Sequence, residues 1–244
     1  MDKMNEDIKK IKISAIITAA GSGSRMASKI PKQFLKINGV SIIERTIRKF
    51  FSIDIIDEII VIVRKEELDF YDKLTKKYNK KIKIAIGGNT REKSTYNGLL
   101  KTDANSDIII CHDGVRPFVT KEIILEAVKN MKDYNAVIVG VPVKDTIKSI
   151  REDKTIAFTP ARKYLYQAQT PQVFKRDVIL DAYKKCFTED IQVTDDSSLM
   201  EIIGEKVKII DGSYSNIKIT TKEDLVFGEI IAKSEDELEN RNRI

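Results

Sequence analysis

The sequence predicts an α/β fold, a three-layer sandwich in which a mostly parallel sheet lies between two layers of helices. Three observations carry this. Short β-branched runs alternate with stretches whose apolar residues recur at helical spacing, the mark of strand–helix–strand crossovers. A glycine-rich run follows the first such strand directly, as at a strand-to-helix turn. Finally, the 244 residues are 42% hydrophobic and 33% charged, which supplies a full apolar core and is too apolar for a disordered chain. Crossovers between parallel strands are right-handed, so the helices cover both faces of the sheet.

The elements follow in order. Lys12 to Thr18 (KISAIIT) reads as a buried strand, and Ile59 to Val63, Lys81 to Ile86, Asp107 to Cys111 and Ala136 to Val141 repeat the pattern. Between them, Ile42, Ile43, Ile47, Phe50 and Phe51 recur at helical spacing, as do Ile123, Ile124, Ala127, Val128 and Met131. After Pro142 the alternation breaks. From Asp145 to Gln169 there is only short apolar–polar alternation around the charged run Arg151 to Lys154. That stretch reads as a β-hairpin arm leaving the core, and a lone hairpin is marginal unless it pairs with something, such as a second subunit. Helices resume at Arg176 to Cys186 and around Ser197 to Ile203. Strands are expected at Val207 to Ile210 and Asn216 to Thr220, and a last helix from Lys222, with the polar tail SEDELENRNRI fraying. Residues 1–244 thus read as one domain with an arm at about 145–169.

Composition narrows the function. Lys plus Arg number 43 against 37 Asp plus Glu, a net charge of +6. The dense patch at Lys76, Lys77, Lys80, Lys81 and Lys83 carries no interleaved aromatics and reads as a solvated helix end, so no nucleic-acid partner is expected. The positive excess still suits phosphorylated substrates. Apolar runs are too short to span a bilayer, and MDKMNEDIKK has no signal-peptide core, so the expected location is cytoplasmic and off the membrane. Two cysteines, Cys111 and Cys186, exclude a disulfide framework and a four-cysteine zinc site, and the single His112 excludes multi-histidine metal sites.

The chemistry concentrates at strand ends. Ala19 to Phe34 (AAGSGSRMASKIPKQF) follows the first strand, where ligands of open α/β sheets bind. Gly21 and Gly23 let the backbone turn its N–H groups toward phosphate oxygens. The run is no dinucleotide fingerprint, because Met26 stands where a glycine is needed, and it lacks the Gly-Lys-Ser/Thr of a P-loop. It supplies Arg25 and Lys32 instead, two cations suited to a polyphosphate whose transferred phosphorus gains charge in the transition state. A second segment, GGNTREKSTYNGL, has Gly87 and Gly88 ending a strand, with Asn89 and Ser94 able to bond the edge of a base. It reads equally as a tight turn capped by Asn-Thr. In HDGVRP, Asp113 ends a strand where a carboxylate can hold Mg²⁺ on phosphate oxygens, and Arg116 suits an anionic acceptor. His112 and Cys111 read as structural. TDDSSLME reads as a helix N-cap, and Lys218, between Ile217 and Ile219, as a solvated position.

Taken together and in order, AAGSGSRM, PKQF, GGNTREKS, HDGVRP, DTIK, QTPQVF, TDD and NIKITT resemble the 2-C-methyl-D-erythritol 4-phosphate cytidylyltransferases, from about Lys12 to about Ala232. The related ribitol-5-phosphate cytidylyltransferases are similar too. Gly114, Val115 and Tyr166 lean toward that branch, while GGNTREKSTYNGL, VKDTIK and TDDSSLMEIIG lean toward the methylerythritol branch. The resemblance implies a Rossmann-like nucleotidyltransferase fold and transfer of CMP from CTP to an acceptor phosphate, with release of pyrophosphate and no covalent intermediate. It implies that Arg25 and Lys32 stabilise charge at the α-phosphate and that Asp113 positions Mg²⁺. Ala19, Ala20, Gly21, Gly23, Gly88, Asn89 and Ser94 would form the nucleotide site. Arg162, reaching across a homodimer from the partner's arm, and Lys218 would hold the acceptor phosphate. Arg116, Thr146, Thr170 and Thr194 match further acceptor-side positions. A non-catalytic nucleotide- or RNA-binding regulator is the rival from another class.

Overall fold

The computed structural model describes residues 11–21, 30–189 and 191–241. Its strands are β1 (Ile13–Thr18), β2 (Lys36–Ile37), β3 (Val40–Ser41), β4 (Glu58–Val63), β5 (Ile82–Ile86), β6 (Ile108–Asp113), β7 (Ala136–Pro142), β8 (Ser149–Ile150), β9 (Ile156–Phe158), β10 (Tyr166–Lys175) and β11 (Val207–Asp211). The α-helices are α1 (Ile42–Phe51), α2 (Leu68–Thr75), α3 (Arg91–Lys101), α4 (Lys121–Lys129), α5 (Arg176–Thr188), α6 (Asp196–Ile202) and α7 (Lys222–Arg241). Four of them start at the polar residue that the sequence offers as a cap. The side chains of Ser41, Thr90, Thr120 and Asp195 accept the backbone N–H of the residue three further on, which satisfies a donor that the first turn leaves open.

Seven strands form one sheet in the order β11-β7-β10-β6-β1-β4-β5. All neighbours are parallel except β10, which runs antiparallel to both β6 and β7. Alternation along the strands sorts the core into two layers. Ile13, Ala15, Ile17, Val61 and Ile110 meet α1, α2 and α4 through Ile47, Phe50, Tyr71 and Ile124. Ile16, Ile62, Ile109 and Phe174 meet α3, α5 and α6 through Leu99, Ile179, Tyr183 and Leu199. Every residue of β4 is buried, as befits a parallel strand covered on both faces. The predicted three-layer sandwich is the observed one. A third small core, Ile37, Ile42, Val115, Phe118, Ile219 and Ala232, seats α7 beside the loop after β6.

Four expectations change. β10 was not anticipated as a sheet strand: Tyr166 to Gln169, expected in the arm, pair with Pro142 to Val139 of β7. The strand kinks through a register shift between Gln169 and Gln172, next to a cis Thr170–Pro171 peptide. Its glutamines break the apolar pattern because they are spent on bonds. Gln169 Nε2 donates to Ser213 O at 2.8 Å and Gln172 Nε2 to Asp195 Oδ2 at 2.7 Å. The arm that remains is β8 paired with β9, and its Ile150, Ile156 and Phe158 are exposed. Asn216 to Thr220, expected as a strand, form none and lie outside the sheet, held by Ile219 N–H donating to Val115 O at 2.9 Å. The tail from Ser234 to Arg241, expected to fray, continues α7. Its charges are used: Lys49 Nζ meets Glu235 Oε1 at 3.1 Å, and Asp236 meets Arg45 and accepts from Asn38 Nδ2.

Candidate active site

The strand ends open into a cleft of about 420 Å³. It lies beyond the carboxyl ends of β1, β4 and β6 and against the turn after β5, the place where open α/β sheets take their ligands. Of the residues expected from sequence, Ala19, Ala20, Gly21, Lys32, Gly88, Asn89, Ser94, Asp113 and Lys218 line it. Arg25 and Gly23 lie outside the described residues. Arg116 and Thr170 stand just behind the wall, bonded to Asp113. Thr146, Arg162 and Thr194 are exposed and do not line this cleft. Arg162 instead donates from Nη1 to Lys144 O at 2.7 Å within the arm.

At one end the backbone does the shaping. Gly87 and Gly88 carry the chain off β5 with no room for side chains. A Cβ on Gly87 would meet Ala20 Cβ at 2.7 Å, bringing this turn hard against the loop after β1. The Ser94 hydroxyl accepts from Gly88 N–H at 3.0 Å and donates to Thr90 O at 2.8 Å. It is thereby committed to holding the turn. Ala19 is fixed from below by Gln33, a buried side chain whose Nε2 donates to Ala19 O and to the Glu67 carboxylate at 3.1 Å each. Arg64 Nε in turn donates to Glu67 at 2.9 Å.

At the other end charge dominates. Asp113 accepts from Lys218 Nζ at 3.1 Å on Oδ1 and from Arg116 Nε at 3.0 Å on Oδ2. Burial alone would raise the carboxyl pKa, but Lys218 and Arg116 outweigh it and hold it at about 2. Arg116 is oriented by a second bond, Nη1 to Asn216 O at 2.9 Å. Beneath this, His112 is buried with both ring nitrogens engaged. Nε2 donates to Arg116 O at 3.0 Å, so Nδ1 accepts from the Thr170 hydroxyl at 3.0 Å, and that oxygen accepts Asp113 N–H at 3.1 Å. Burial is the chief reason the His112 pKa falls to about 4, which keeps the ring neutral.

The structure adds residues that sequence reasoning missed: Thr18, Gln33, Ile62, Thr90, Arg91, Thr95 and Val115 also line the cleft. The only signal in the sequence was position. Arg91 stands where α3 begins, after a Gly-Gly turn, and Gln33 directly follows Lys32. The chemistry on offer is anion binding and charge stabilisation. Cys111 is buried with its thiol pushed up by desolvation, and Ser94 bonds only to main chain, so among the described residues of the cleft no nucleophile–base pair is assembled. For a divalent cation, the half-buried Asp113 carboxylate lines the cleft, and among the described residues no group of three or more His, Cys, Asp or Glu side chains could hold a metal. That donor set fits Mg²⁺, which takes one or two carboxylates and completes its shell with substrate phosphates and water. Among the described residues no helix is long and apolar enough to cross a membrane.

Comparison with known proteins gives one answer. The family model described as 2-C-methyl-D-erythritol 4-phosphate cytidylyltransferase (IspD) matches residues 13–234. An enzyme of that name from Clostridioides difficile (strain 630) is 50% identical over 235 residues, covering 95% of this chain and 99% of the relative. Another from Caldanaerobacter subterraneus subsp. tengcongensis is 47% identical over 224 residues, covering 91% and 99%. Among solved structures, the 4-diphosphocytidyl-2C-methyl-D-erythritol synthase of Anaerococcus prevotii superposes with a TM-score of 0.83 at 40% identity, covering 91% of this chain and 99% of that one. The 2-C-methyl-D-erythritol 4-phosphate cytidylyltransferase of Francisella tularensis gives 0.78 at 31% identity, covering 90% and 99%.

Proposed function

This chain belongs to the 2-C-methyl-D-erythritol 4-phosphate cytidylyltransferase family, and from that premise we propose how the cleft carries out the family's reaction. The enzyme transfers CMP from CTP to 2-C-methyl-D-erythritol 4-phosphate, with pyrophosphate as the second product. An oxygen of the acceptor phosphate forms the new bond to the α-phosphorus of CTP, and the bond to the β-phosphate breaks, its electron pair leaving with pyrophosphate. A phosphate dianion needs no proton removed before it attacks, so the cleft needs no general base. What it must do is align two anions and stabilise the charge between them.

The observation that carries this reading is Asp113 held between Lys218 and Arg116 at the end of a cleft whose far wall is the Gly88 turn. Cytosine is read at Ala19, Ala20, Gly21, Gly88 and Asn89, which line the cleft beside the turn that Ser94 fixes. The triphosphate runs toward Lys32 and the loop of Gly21, Gly23 and Arg25. Lys32 and Arg25 stabilise the α-phosphate as it gains charge. Lys218, with Arg116, Thr170, Thr146 and Thr194, serves the acceptor side. Asp113 would hold Mg²⁺, which when bound supplies charge neutralisation on the phosphate oxygens.

Arg162 completes the acceptor site from the second copy of a homodimer. Its exclusion from the cleft of its own chain, and the exposed Ile150, Ile156 and Phe158 of the arm that bears it, support this. The ribitol branch, carried in sequence by Gly114, Val115 and Tyr166, gains no support, since the matches reported above bear methylerythritol names.

Pyrophosphate release with CTP and Mg²⁺ tests the assignment, run with methylerythritol 4-phosphate and with ribitol 5-phosphate as acceptors. The first should be turned over and the second poorly. Lys32→Ala should lower kcat by about 10²–10³, the scale of losing one transition-state charge partner. Full turnover in that variant would remove Lys32 from the role.

A further inference from the structure

The Asp195–Asp196 segment, at the start of α6, is not used by the reaction as described. Asp195 caps α6, accepting Ser198 N–H at 3.1 Å. Asp196, however, turns inward and is 2% exposed. Its Oδ1 accepts from the Tyr183 hydroxyl at 2.5 Å and from Arg91 Nη1 at 2.9 Å. Arg91 is the first residue of α3 and lines the nucleotide end of the cleft.

A cation at that position opposes the positive end of its own helix dipole. A buried carboxylate without a partner is costly as well. Each explains the other only as a pair, and the pair spans two helices that chain connectivity leaves far apart. Its effect is geometric. The Gly88–Thr90 turn is fastened to α3 through Ser94 and through the Thr90 cap, whose Oγ1 accepts Lys93 N–H at 3.1 Å. Arg91 then fastens the start of α3 to α6. α6 itself is anchored to β10, where Gln172 donates to Asp195 and accepts Ser197 N–H at 3.2 Å. The turn that faces the base is therefore referenced to the central sheet through Arg91 and Asp196.

We propose that Arg91, held by Asp196, is a positioning residue of the nucleotide subsite, fixing the turn whose backbone distinguishes cytosine from uracil. This rests on the placement of the base at the Gly88 turn. The two bases differ only at the 4-position substituent and the N3 proton, so discrimination demands that a few donors and acceptors stay in place. A turn released from α6 loses that register before it loses the ability to bind a triphosphate. Lysine in place of arginine keeps the charge but not the planar fork.

The test uses Arg91→Lys and Asp196→Asn in the full-length enzyme, with steady-state kinetics for CTP, UTP and the acceptor. Each variant should raise KM for CTP by about tenfold, the size of one lost positioning contact at 1.4 kcal/mol. The ratio of kcat/KM for CTP to that for UTP should fall, while KM for the acceptor stays near wild type. The ratio is taken within one preparation, so partial unfolding cannot produce the change. An unchanged KM for CTP and an unchanged base preference would overturn the proposal and leave the pair a packing feature. Gly88→Val separates the two levels, because its Cβ would meet Lys93 Cβ at 2.6 Å and force the turn to shift. If Gly88→Val disturbs CTP binding while the Arg91 and Asp196 variants do not, this inference alone fails. If Gly88→Val also binds CTP normally by calorimetry, the placement of the base fails, and this inference with it.

Discussion

His112 stands one residue before the end of β6 with its ring against Phe50, centroids 4.8 Å apart, and with Thr170 and Arg116 O on its two nitrogens. Its pKa is lowered from 6.5 to about 4, chiefly by burial. The denatured chain therefore takes up a proton near pH 6.5 that the native ring refuses until about pH 4. Stability is full above that window and falls as pH drops through it, by about 3 kcal/mol for this one group. In metal-free buffer, urea midpoints of the wild type and of His112→Gln should diverge between pH 6.5 and 4, the wild type losing the more. Parallel profiles would mean that the ring ionises in the native state. The sequence allowed a structural histidine here, since a lone His beside an apolar strand has few other uses. It did not show that this ring, through Thr170 and the Asp113 amide, would underlie the acceptor site. That link runs 58 residues along the chain, and no local pattern records it.

Asp195 shows what one cap does for several elements. It accepts from Gln172 of β10 at 2.7 Å, from the Ser197 hydroxyl two residues on at 2.7 Å, and from Ser198 N–H. Asp195→Ala removes the cap and strands a Gln172 amide that is 2% exposed. The expected loss is about 2 kcal/mol in chemical denaturation, with Asp195→Asn recovering most of it. The cap was readable from TDD followed by an apolar run. The strand it serves was not. Gln169 and Gln172 are polar residues of β10 whose partners lie on distant segments, and period-two reading sees only the missing apolar residues. NIKITT misled in the opposite direction. Its alternation resembles a strand, yet Asn216 is fully buried with its Nδ2 donating to Thr170 O at 2.9 Å. The segment thus serves to present Lys218 beside the sheet. The tail of α7 reads as frayed from its polarity alone. Lys49, Arg45 and the Asn38 amide supply the counterparts that make that polarity useful.

The whole molecule has a body whose parallel strands were legible from alternation, and an arm whose two short strands expose their apolar residues. If Arg162 serves the other copy's cleft, mixing Arg162→Ala subunits with Lys32→Ala subunits should give hybrids with one intact site and measurable turnover, where either variant alone has little. Phe158→Ser should weaken the dimer in sedimentation and lower turnover at dilute enzyme. A hybrid with no activity would return Arg162 to its own chain. The sheet itself has a further consequence. Because β10 runs between β6 and β7, the first 142 residues make one incomplete sheet, β5-β4-β1-β6, and leave β7 as a strand without a neighbour. During synthesis each waits with a bare hydrogen-bonding edge until residues 166–175 have left the ribosome, and bare edges recruit other chains. Nascent fragments halted between Pro142 and Tyr166 are thus the ones most in need of a chaperone, while elongation past Lys175 closes the seam.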